Sequence, residues 1–144
     1  MCSITLLSGC DSGSKPALPN VTQWTTVEQC DLHHQACLAQ NQHQSVRLNI
    51  TPHPIPIARP LNVSVTLDAI TATKVELDIS GVNMYMGFNR VTLTPHPQHP
   101  GEFVGTSMLA FCTIAKMQWQ VTVMIHQPDG SQIQVPYLLE TSNR

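Results

Sequence analysis

A thiol and three thioethers stand at close spacing in this 144-residue chain: Met84 and Met86 in GVNMYMGFNR, then Cys112 and Met117 in AFCTIAKMQW. One thiolate with three thioethers is a soft donor set, which favours Cu(I) over Zn, Mg or Ca. Cys112 is the donor that binds as thiolate. The same side chains have a packing reading, because methionine is an adaptable gap filler and a buried cysteine behaves as a small hydrophobe. His53 is a candidate additional ligand. A weaker second set is His96 and His99, in PHPQHP, with His126; three imidazoles suit Cu(II) or Zn, while loop histidines between prolines are commonly just solvated.

The remaining cysteines carry different chemistry. Cys30 and Cys37 bracket CDLHHQAC. They read as a local disulfide that ties down the N-terminal segment, with a Zn site through His33 and His34 as the alternative. Leu7-Ser8-Gly9-Cys10 resembles a lipobox and is followed by a small-polar linker, so residues 1–20 read as a lipoprotein signal remnant and disordered linker. On that reading Cys10 is lipidated, and the chain works in the bacterial periplasm, held to the membrane by its lipid alone. The alternative is a chance match in a disordered tail. An oxidising compartment agrees with a Cys30–Cys37 bridge.

The elements that must position these groups are strands. Eleven prolines, seven glycines and short alternating runs point to an all-β chain. Strands are expected at 45–50, 61–70, 73–80, 89–95, 101–109, 118–126 and 131–139. Alternation is clearest in Val75, Leu77, Ile79 and in Trp119, Val121, Val123, Ile125, with Trp119 as the core anchor. TPHPIPIARP and TPHPQHPG must be loops, and QPDGSQ a hairpin turn. Residues 26–42 show no clear strand pattern and have room for one helical turn or short helix. Seven strands with turns between them predict one immunoglobulin-like β-sandwich domain over 21–144. If successive strands alternate in direction, the third-to-fourth and fifth-to-sixth connections fall at one end. That end gathers Met84, Met86, Cys112 and Met117, with Cys112 and Met117 facing across a hairpin, and the 51–60 loop brings His53 to it. The opposite end gathers His96, His99 and His126.

Composition narrows the function classes. Formal net charge is -2, and the seven Lys and Arg are scattered singly, which argues against a nucleic-acid partner. No run approaches the roughly 18 to 20 apolar residues of a membrane span. There is no G-x-S-x-G elbow, P-loop or H-E-x-x-H, and the nine acidic residues form no evident pair, so catalysis is not expected.

The run from VELDISGVNMYMGFNRVTL through HPGEFVGTSMLAFCTIAKMQWQVTV resembles the small periplasmic immunoglobulin-like domains of the YtkA-like and FixH-like group. The matching residues are Met84, Met86, Gly101, Phe103, Met117 and Trp119, and the resemblance covers about residues 61 to 126. It implies copper handling, often linked to assembly of haem-copper oxidases, with an envelope protein as copper donor or acceptor. Many members carry no cysteine where Cys112 stands. Without copper, the alternative is an envelope interaction module of the same fold.

Overall fold

The computed structural model describes residues 20–87 and 89–142; the expected lipidation at Cys10 lies outside them. These residues form nine strands in chain order: β1 (Val21–Gln23), β2 (Cys37–Asn41), β3 (Gln44–Thr51), β4 (Pro60–Asp68), β5 (Lys74–Gly81), β6 (Asn89–Pro95), β7 (Glu102–Met108), β8 (Lys116–His126) and β9 (Gln132–Ser142). They join in a single curled sheet of order β1-β9-β8-β5-β6-β7-β4-β3-β2. Every pairing is antiparallel except β1 with β9. The all-β expectation is met, but with nine strands in one sheet where seven were expected.

Period-two alternation gives each half of the sheet one apolar face. Val46, Leu48 and Ile50 of β3 and Leu61, Val63 and Val65 of β4 are buried on one side of the core. Val75, Leu77 and Ile79 of β5 and Trp119, Val121, Val123 and Ile125 of β8 are buried on the other. Each such side chain removed from water contributes about 1.5–3 kcal/mol, before the entropy of ordering it is subtracted. Strand β6 is the corner of the curl, since Asn89–Leu93 pair with β5 while Thr94 and Pro95 pair with β7. Gly105 of β7 leaves room there for Leu93, because a Cβ on it would lie 2.7 Å from Cδ2 of that leucine.

Two buried polar links hold the core, one across the two halves of the sheet and one between neighbouring strands. Tyr137 of β9 donates its hydroxyl to the Val46 carbonyl of β3 at 2.8 Å, tying the two halves of the sheet across the core. Trp119 donates its indole N–H to the buried Thr141 hydroxyl at 2.8 Å, so neither polar atom is left unmatched in an apolar setting.

Of the helical turn or short helix expected within 26–42, the structure has one turn at 32–34, closed by the His34 and Gln35 amides on the Asp31 carbonyl, and then the unexpected strand β2. This segment buries only Cys37 and Ala39 in its strand, too few to write an alternating signature, and its pairing with β3 supplies the order instead. The disulfide Cys30–Cys37 is present, with the two Cα atoms 5.8 Å apart. Both sulfurs are thereby used, which removes the zinc alternative. Both ring nitrogens of His33 have protein partners: Nδ1 accepts from the Ile55 amide at 3.0 Å and Nε2 faces the Glu140 carbonyl at 2.6 Å. The ring is a clasp between the disulfide loop, the proline-rich 52–59 loop and β9.

Candidate metal centre

The loop after β5 and the connection from β7 to β8 meet at one end of the sheet. Three contacts with β8 hold the first of them. The Val82 amide donates to the Gln118 carbonyl at 2.8 Å, extending the β5–β8 ladder by one bond. Asn83 donates to the Lys116 carbonyl at 3.1 Å and accepts from the Gln118 amide at 3.0 Å. Gly81 lets the chain turn back on itself, because any Cβ there would run into the Met84 carbonyl and lie 2.6 Å from the Met117 methyl.

The other loop is pinned as firmly. Asn89 donates to the Met108 carbonyl at 2.6 Å, and the Ala58 amide donates to the Leu109 carbonyl at 2.8 Å. Leu109 is fully buried at the base of the loop. From this footing Cys112 turns inward and sets its Sγ 3.5 Å from the Met84 Sδ. The expected meeting of the two connections is therefore present. The expected Cys112–Met117 hairpin is not, because β7 pairs with β4 and β6 whereas β8 pairs with β5 and β9. The 109–115 segment crosses from one half of the curled sheet to the other, and a crossing imposes no hairpin register.

Burial grades the four sulfur residues. Met117 is 1 % exposed and Cys112 5 %, Met86 is partly buried against the core, and Met84 is 42 % exposed. The thiol is thus an inner donor and the Met84 thioether an outer one. Metal–sulfur bonds are roughly 2.3 Å long, so two sulfurs 3.5 Å apart can serve one ion without large movement. Soft ligands of this kind suit Cu(I), and the pair passes that test of fit. Around them stands an exposed apolar rim of Val82, Tyr85, Met108 and Phe111. The sequence pattern pointed to the sulfurs but not to this rim, whose members sit in short loops without periodicity or, for Met108, at the end of β7.

The other expected ligands are dispersed. His53 Nε2 lies 3.1 Å from the Asn49 side-chain oxygen, and Asn49 belongs to β3. His126 Nε2 meets Glu76 Oε1 at 2.7 Å, across the β5–β8 pairing. His96 and His99 do come together, with ring centroids 4.2 Å apart and planes inclined by 18°. Their companion is Glu102 rather than His126: His99 Nδ1 lies 2.9 Å from Glu102 Oε2, and Ser64 donates to Glu102 Oε1 at 2.8 Å. The hydrogen bond from the Ser64 hydroxyl is the largest reason the Glu102 carboxyl lies below the usual glutamate range; burial opposes it, and the rings of His99 and His96 add to the lowering. Glu102 was missed in the sequence because its part depends on a tight turn; the available signal was its place three residues after His99.

No family model matches this chain, and no curated protein matches it.

Proposed function

We propose that the chain is a copper-binding protein of the bacterial envelope, holding Cu(I) through Cys112 and Met84 with Met86 and Met117 beside them. The single observation that carries this reading is the 3.5 Å approach of the Cys112 and Met84 sulfurs, made by two loops far apart in sequence. A soft ion bound there gains affinity from the thiolate and exchange rate from the thioethers. Met84 stands at the solvent edge and Cys112 behind it, so the outer ligand is the one a partner's donor displaces first. The domain is read as an immunoglobulin-like sandwich, lipid-anchored through Cys10 in the periplasm. As a chaperone or store it exchanges copper with another envelope protein, and the resemblance to the YtkA-like and FixH-like group ties this to haem-copper oxidase assembly.

A second reading is favoured by burial. Cys112 and Met117 are nearly inaccessible, and the rim of Val82, Tyr85, Met108 and Phe111 is an apolar surface suited to contact with a protein. On that account the domain is an envelope interaction module whose sulfurs pack the end of the core. Anaerobic titration of the reduced, folded protein with Cu(I) against a chromophoric chelator separates the two. One equivalent that competes with the chelator, lost in Cys112→Ser and weakened in Met84→Ala, supports the copper reading. Absence of competition, or unchanged affinity in Cys112→Ser, overturns it.

A further inference from the structure

We infer that the β6–β7 turn is a second, chemically distinct metal site, in which His96, His99 and Glu102 take a borderline divalent ion, Cu(II) most tightly and Zn(II) after it. The inference is independent of the sulfur pair, which lies at the other end of these strands. Among the described residues these three are the group of His, Cys, Asp and Glu side chains whose candidate ligand atoms all lie within 4.8 Å of one another.

The turn is built to hold them. The His96 amide donates to the Glu102 carbonyl at 2.8 Å, and the Glu102 amide donates to the His99 carbonyl at 3.1 Å. These two bonds close the loop, so residues six apart in sequence share one small surface. Gly101, at φ +84, supplies the left-handed residue that the closure needs, and its carbonyl accepts from the Leu67 amide at 2.8 Å, anchoring the turn to β4. Pro95, Pro97 and Pro100 restrict the backbone further. A ligand set on such a turn loses little conformational freedom when it binds.

The donor geometry fits one ion. His99 Nδ1 and Glu102 Oε2 are 2.9 Å apart, the separation of neighbouring donors whose bonds to a common ion are each about 2.0–2.2 Å. The ion takes the place of the proton between them, and the neutral ring that ligates through Nδ1 carries its proton on Nε2. Ser64 keeps its bond to Glu102 Oε1, orienting the carboxylate from behind as outer hydrogen-bond partners do at metal sites. His96 completes the set by giving up the 3.1 Å bond its Nδ1 accepts from the Gln98 amide, a small ring rotation on an exposed turn. Two imidazoles with one carboxylate suit Cu(II), Zn(II) or Ni(II), and copper leads the affinity order. An open cavity of about 430 Å³ on the outer sheet face, lined in part by Ser64, Thr94 and His96, gives the ion a way in.

The test is Cu(II) titration of the full chain carrying Cys2→Ser, Cys10→Ser and Cys112→Ser, which removes the thiols outside the Cys30–Cys37 bridge that would reduce the metal, read by electron paramagnetic resonance. The expected result is one equivalent with two-nitrogen coupling. It weakens at least tenfold in His96→Ala, in His99→Ala and in Glu102→Gln, whose amide is isosteric with the carboxylate, and is unchanged in His126→Ala or His53→Ala. Zn(II) should displace the signal at higher concentration. Retention of that equivalent in the folded His96→Ala/His99→Ala protein, or no equivalent bound at all, overturns the inference.

Discussion

Met84 and Cys112 are twenty-eight positions apart, yet the cysteine thiol lies 3.5 Å from the methionine thioether and behind it. Cys112 is 5 % exposed while Met84 is 42 % exposed, so the longer side chain covers the shorter. Cutting Met84 back to alanine should open the thiol. Modification of the folded protein by a small thiol reagent is expected to speed up about tenfold in Met84→Ala, a shift of roughly 1.4 kcal/mol in the opening equilibrium. Equal rates in the two proteins would show that Met84 is not the cover.

The tight return of the chain at Gly81 gives a second expectation. A methyl group at this position meets the Met84 backbone carbonyl, which cannot swing aside as a side-chain end can, and the Met117 methyl as well. Gly81→Ala should therefore cost about 1–3 kcal/mol by overpacking and displace the Met84 loop. Gly87→Ala is the control: among the described residues beyond its chain neighbours nothing lies within 4 Å of a Cβ there, so the cost comes from its φ of +77, about 1 kcal/mol. Urea denaturation of the two variants compares the losses, and equal losses would mean that the Met84 carbonyl yields freely.

Much of this architecture was legible because buried strands write their faces in period two. Val75, Leu77 and Ile79 alternate with polar neighbours and are all buried, as are Trp119, Val121, Val123 and Ile125. Strands β1 and β2 left no such mark. The first is three residues long and is ordered by its parallel pairing with β9; the second exposes Leu38 and buries Cys37 and Ala39. The meeting of Met84 with Cys112 followed from strand direction, which survives an error in strand count. Which histidines meet did not follow, because reaching one end of a sheet is not adjacency. His126 sits two strands from His96, and Glu76 is nearer to it.

The Cys30–Cys37 bridge closes a short loop that His33 then clamps to Ile55 and Glu140. Loop-closure entropy for a ring of this size predicts a loss of about 2–3 kcal/mol on reduction. His33→Ala adds the loss of two hydrogen bonds, about 1–2 kcal/mol. The two changes touch the same segment, so their effects should fall short of additive. Urea midpoints of the oxidised and reduced protein, each with and without His33→Ala, measure this. Strict additivity would mean that the ring and the bridge stabilise separate units.

The Ser64–Glu102 bond makes acid sensitivity a local readout of the β6–β7 turn. Ser64 donates to the Glu102 carboxylate at 2.8 Å and is the main reason its pKa is lowered. A carboxyl whose pKa falls on folding stabilises the folded state in its charged form. That contribution is fully present above the unfolded value of about 4.3, and it is lost as pH drops through the lower folded value. Ser64→Ala should return the Glu102 pKa toward ordinary glutamate, which NMR titration of the side-chain carboxyl reads directly. The stability gap between the two proteins should be widest at neutral pH and narrow below about pH 4. His99→Ala should move the same titration upward by less, since the His99 ring acts on the carboxylate after Ser64. A gap independent of pH would mean that the serine acts by filling space and not through its hydrogen bond.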